Sequence, residues 1–224
     1  MKKIVTRSLA MGVMLLLTVI LSGFAQPQPT IVTEQVAIDG YTLPLPQIRG
    51  MEDQTLQLGF NTLVKNSVGA LIHQSSYDFD SDQVKVWSAP GSLFQQGAIT
   101  SFGVNISTYI NKAAHPNNQH ITFTINTDSG QIYKLGDLFA GNAYQEKLPL
   151  LLRKQLSQKP FRYFAAPDIR ADSINFYLTT EGLVIYFQQG EIAAYACGLI
   201  ECVLPYPDIA DIMAPDVLKK LKNK

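Results

Sequence analysis

Seven residues of this chain invite a chemical reading. Cys197 and Cys202, its only cysteines, stand five positions apart in "QQGEIAAYACGLIECVLPY"; His115 and His120 flank "PNNQ"; and Asp78, Asp80 and Asp82 alternate in "DFDSD". Two thiols at that spacing offer metal ligation, redox exchange or a covalent staple. The histidines read as a pair brought together across a turn, the start of a hydrolytic zinc site that would still need a third protein ligand. His73, the only other histidine, falls at a helix end, so polar turn histidines are the plainer expectation. The aspartates have the alternation of a calcium loop, but Gln83 and Ala89 stand where such a loop requires glycine and a bidentate glutamate. A solvated loop is expected there.

Motifs that activate a nucleophile with a neighbouring base are missing: neither Gly-x-Ser-x-Gly nor Ser-x-x-Lys occurs, nor does His-Glu-x-x-His or a glycine-rich phosphate loop. The weight moves toward binding rather than catalysis, with no cofactor expected.

The compartment follows from the N-terminus. A basic start (Lys2, Lys3, Arg7), an apolar run from Leu9 to Leu21, and the small residues Gly23 and Ala25 give residues 1–25 the layout of a secretory signal peptide. A membrane association is expected only if that segment stays attached. The leader holds 3 of the 18 basic residues and none of the 18 acidic ones, so the remainder carries 15 − 18 = −3. Mild acidity argues against nucleic acid as a partner.

Export bears on the thiols. Residues five apart in a straight strand are about 16 Å apart on opposite faces, whereas a disulfide holds Cα atoms about 4.4 to 6.8 Å apart. A bond between Cys197 and Cys202 therefore needs a turn at "GLIE", which Gly198 makes easy. In an exported chain the pair reads as a structural disulfide, and so short a loop stabilises by only about 2 kcal/mol.

The elements that must position these residues are legible from periodicity. After a linker at residues 26–30, "IVTEQVAID" alternates as a strand, and Pro44 and Pro46 confine the next segment to an edge. Met51, Leu56, Phe60, Leu63, Val64, Ser67, Leu71 and Ile72 mark one face of a helix over 52–73. "VKVW", "GAITSFGVNISTYI" and "HITFTINT" read as strands, with Asp128, Ser129 and Gly130 turning into another. "NAYQEKLPLLLRKQLSQ" reads as a helix with Leu148, Leu151, Leu152 and Leu156 inward and Pro149 in its first turn or kinking it. "SINFYL" and the wholly apolar "LVIYF" form a hairpin whose second strand is central. Short helices begin at Pro207 and Pro215. The fold class is α+β: antiparallel hairpins with a long N-terminal helix, a middle helix and short C-terminal helices. The expected division is an N-terminal lobe over 31–95 and a C-terminal lobe over 96–224.

Three passages in order, "YTLPLPQIRGMEDQTLQLGFNTLV", "AHPNNQHITFTINTDSGQIYKLGDLF" and "INFYLTTEGLVIYFQQGEIAAYACG", resemble the RsiV-like extracytoplasmic domain. That domain of formally unknown function is found in lysozyme-sensing anti-sigma-V factors and before peptidoglycan deacetylases of the PdaC type. The chain departs from the pattern at Ala194, where proline is usual, and in carrying the two cysteines. The resemblance implies a bacterial cell-envelope binding or sensing module, here expected to stand alone, that recognises a lysozyme-like protein or peptidoglycan glycan. Glu191, Tyr195 and Tyr206 are the candidate contact residues, because aromatic side chains anchor interfaces and stack on sugars. The alternative is a metal-dependent hydrolase or deacetylase accessory built on His115 and His120, or a structural envelope protein.

Overall fold

The computed structural model describes residues 28–164 and 174–222; the expected leader lies outside them. The α+β expectation holds. Strands β1 (Thr30–Ile38) and β2 (Tyr41–Arg49) pair antiparallel around Asp39 and Gly40, both at positive φ, the backbone that a tight two-residue hairpin turn demands. Pro44 and Pro46 leave β2 without two backbone donors, and among the described residues β2 pairs only with β1. Its other side meets the next sheet through a side chain, the Ser88 hydroxyl donating to Pro44 O at 2.8 Å.

Helix α1 (Gln54–Ser76) starts at Asp53, whose carboxylate accepts from the Thr55 and Leu56 amides, and it buries Phe60, Asn61, Val64, Val68 and Ile72. It covers the inner face of the sheet β3 (Val84–Gln96), β4 (Ile99–Ile110) and β5 (Asn117–Asn126), ordered β3-β4-β5. Phe102, Val104, Ile106, Phe123 and Ile125 complete this first core.

The turn at residues 128–130 forms as expected, with the Asp128 and Ser129 amides donating to Asn126 Oδ1. The strand expected after it is reduced to one bridge, Ile125 with Ile132. Chain then diverts through a 3-10 turn at Leu135–Leu138 into α2 (Tyr144–Leu156). Pro149 lies inside this helix rather than in its first turn; the lost donor is the one that would have bonded Gln145 O.

A third sheet, β6 (Asn175–Leu178), β7 (Gly182–Phe187) and β8 (Ile200–Pro205), runs β6-β7-β8. All of β7 is buried, as an apolar run in a central strand requires. Its inner face packs with α2, α3 (Tyr206–Ile209) and α4 (Pro215–Lys222) into a second core, which also takes in Phe94 and Ile99 from the tip of the β3–β4 hairpin. The sheets are joined by polar contacts: Ser101 Oγ accepts from the Leu178 amide at 3.0 Å and lies 2.8 Å from Thr124 Oγ1. Among the described residues no helix is long and apolar enough to cross a membrane.

Candidate functional site

Helix α1 packs on one face of β3-β4-β5, and among the described residues no helix covers the outer face. Register places Trp87, Ser107 and Asn118 in one row across the three strands, and Ala89, Asn105 and His120 in the next. The outer face of the third sheet carries Tyr177, Tyr186 and Glu201. The two faces meet in a corner where the Tyr186 hydroxyl donates to His120 O at 3.2 Å and lies 3.1 Å from Thr122 Oγ1.

His120 is the hinge of this corner and is 6% exposed. Its ring lies against two glycines: a Cβ built on Gly91 or on Gly103 would stand 2.8 Å from its Cε1. Tyr186 and Tyr177 present their rings edge-on to it, with centroids at 4.9 and 6.0 Å. Asn105 Nδ2 reaches Pro90 O at 3.4 Å, which leaves Asn105 Oδ1 to accept from His120 Nδ1–H at 2.7 Å. In the neutral ring this places the proton on Nδ1, and the buried Nε2 has no partner among the described residues. Burial pushes the imidazole pKa below its usual value, opposed in part by the Glu201 carboxylate. Glu201 in turn accepts from the Tyr177 hydroxyl at 2.8 Å, and burial first, then this bond, drive the Tyr177 pKa far above that of a free phenol.

Beside His120 the corner opens into a groove of about 250 Å³, lined by Asn105, Ser107, Asn118, Gln188, Gln189 and Leu199 among others. Gln188 clamps the free edge of β5: its Oε1 accepts from the His120 amide at 3.0 Å and its Nε2 donates to His120 O at 2.5 Å. Ser107 Oγ donates to Asn118 Oδ1 at 2.7 Å, Asn118 Nδ2 to Gln189 Oε1 at 3.1 Å, and Gln189 Nε2 to Tyr195 O at 2.8 Å. Each amide in this relay keeps a second N–H and a second lone pair for a ligand. The groove therefore offers oriented, uncharged donors and acceptors.

Residues 136–207 match the model of the family described as "Protein of unknown function (DUF3298)". Over this segment the chain is similar to the DUF3298 family. The fold is similar to that of a DUF3298 family member from Bacteroides fragilis (TM-score 0.59, 17% identity, covering 88% of this chain and 97% of that one). It is also similar to a DUF3298 family protein from Pseudomonas aeruginosa (TM-score 0.54, 13% identity, 85% and 95%). No curated protein matches the sequence. The matched DUF3298 segment supplies Gln188, Gln189 and Leu199, whereas Asn105, Ser107 and Asn118 come from β4 and β5 before it.

Of the residues singled out from sequence, Tyr195 and Glu191 lie in the loop of the matched segment at this groove. The Tyr195 ring stacks on His115 with centroids 3.9 Å apart, and its hydroxyl donates to Pro116 O. Glu191 is exposed and its carboxylate accepts from the Gln188 amide at 2.6 Å, holding the turn that aims the glutamine. Tyr206 belongs elsewhere: it follows β8 at the end opposite Leu199, and its hydroxyl donates to Thr179 O at 2.9 Å.

The histidine pair does not form as expected. "PNNQ" is not the turn between them but the start of β5, so His115 ends a turn while His120 is buried within the strand. Among the described residues no group of three or more histidine, cysteine, aspartate or glutamate side chains is placed to hold a metal ion. The expected Cys197–Cys202 disulfide is likewise not formed; both are free thiols. Cys202 sits opposite Ile185 on the inner face of β8 and is wholly buried, while Cys197 ends a 3-10 turn at Tyr195–Cys197 and is half-buried.

Sequence reasoning missed Trp87, Asn118, Gln188 and Gln189. Their signal was the outward phase of β3 for the single tryptophan, and the clustering of amides in "PNNQ" and "FQQG" at the ends of two strands.

Proposed function

We propose that this protein is an exported cell-envelope binding module whose groove between the two sheets takes a glycan. The observation that carries the reading is the amide relay Ser107–Asn118–Gln189, held open at the His120 corner by Gln188. Sugar hydroxyls are neutral groups that both donate and accept, and oriented side-chain amides match them without desolvating a charge. The leader layout of residues 1–25 supports export, and the resemblance to envelope domains supports wall glycan as the polymer. No catalytic residue is assigned.

The resemblance also favours a second reading, a lysozyme-like protein as partner. Passing the purified protein over peptidoglycan sacculi and over immobilised lysozyme separates the two. Retention on sacculi that is lost in Asn118→Ala/Gln189→Ala is the expected result. Retention on lysozyme alone transfers the function to a protein interface, and retention on neither overturns both readings.

A further inference from the structure

Trp87, the only tryptophan in the chain, is 45% exposed on a sheet face whose neighbouring rows are polar. Trp87 holds a large indole half in water on an edge strand, on the face away from α1. Trp87 stands opposite Ser107, and Ser107 opposite Asn118, so the indole continues the groove's floor in a straight line across three strands. From Asn118 to Trp87 is two strand spacings, about 9.6 Å, more than one pyranose ring spans. The groove's far wall adds Leu199, an aliphatic side chain 37% exposed beside the Gln188 and Gln189 amides.

Resting on the glycan reading above, we infer that the site has two subsites and takes an oligosaccharide of N-acetylated amino sugars, with Trp87 as the stacking platform of the outer one. The apolar C–H face of a pyranose ring covers the indole. An acetamido group in the inner subsite offers one N–H and one C=O, the complement of a side-chain amide, and a methyl that Leu199 covers. A ligand limited to one sugar would reach the amides and leave the indole in water. The chemistry thus selects a chain over a monosaccharide.

The single tryptophan makes the test direct. Soluble N-acetylglucosamine oligomers of one to four sugars are titrated into the purified protein, reading tryptophan emission and, separately, binding by calorimetry. The expected result is a blue shift of Trp87 emission with oligomers but not with the single sugar, and affinity rising on going from one sugar to two or three. Trp87→Ala should remove that dependence on length and weaken the trimer about tenfold, with Trp87→Phe recovering part of it. Because the indole is half exposed, the alanine variant is checked by circular dichroism to retain the wild-type spectrum. A variant that binds the trimer as tightly as wild type, or a wild-type emission unmoved by a bound trimer, overturns the two-subsite assignment while leaving the groove as a glycan site. A wild-type protein that binds neither oligomers nor sacculi overturns the glycan reading itself.

Discussion

His120 shows at the scale of one residue how the site is kept in shape. Its ring is accepted because Gly91 and Gly103 have no side chain, and its neutral form is favoured because burial outweighs the pull of Glu201. Since the folded-state pKa lies below the unfolded value of about 6.5, the unfolded chain binds more protons as the pH falls past that value, and stability declines. Thermal melts between pH 7 and 5 should therefore show a falling Tm, and His120→Asn, which keeps a donor toward Asn105, should flatten that slope while costing about 1 to 3 kcal/mol at pH 7. Gly103→Ala should destabilise by about 1 to 3 kcal/mol in a denaturant titration, because the added Cβ meets the imidazole at 2.8 Å and Ile121 O at 3.3 Å. None of this was legible in the sequence. "SFGVN" reads as a strand whichever ring covers its glycine, and the partner of His120 in space, Gln188, is 68 residues away.

At the scale of elements, a recurring device is a side-chain amide that completes a strand edge. Asn61 on α1 accepts from the Ile48 amide at 2.7 Å and donates to Ile48 O at 3.1 Å, as Gln188 does for His120. Asn61→Ala strands two buried backbone groups, so a loss of about 2 to 4 kcal/mol is expected, measurable as a drop in the urea midpoint. The helix itself was legible from the spacing of Phe60, Leu63, Val64 and Ile72, all of which meet the core, but its buried stripe also takes Asn61 and Val68, which the expected face left out. Hydropathy could not reveal a buried asparagine whose partner is another element's backbone. The strands of the second and third sheets were legible for the opposite reason, since Ile121, Phe123 and Ile125 alternate within one segment and β7 is apolar throughout. "PNNQ" misled because turn-forming residues begin β5, where Asn118 and His120 face outward across from Ser107 and Asn105.

At the scale of the whole molecule, two apolar cores share one polar joint, and the groove lies beside it. Residues 95 and 96 fall within the β3–β4 hairpin, whose tip feeds Phe94 and Ile99 into the second core while its body closes the first. The two cores should consequently unfold together, with Trp87 emission and helical circular dichroism giving coincident transitions. Ser101→Ala, which leaves the Leu178 amide unpaired at the joint, should lower that single transition by about 1 to 3 kcal/mol. Composition and periodicity read the α+β class because each element declares its own period, but a corner between two sheets is set by register, and no single segment records it. The most direct measurement is retention on peptidoglycan sacculi of the wild type beside Asn118→Ala/Gln189→Ala, with circular dichroism confirming equal folding. The amide groove predicts wild-type retention and its loss in the double variant; equal retention of both, or none by the wild type, would contradict it.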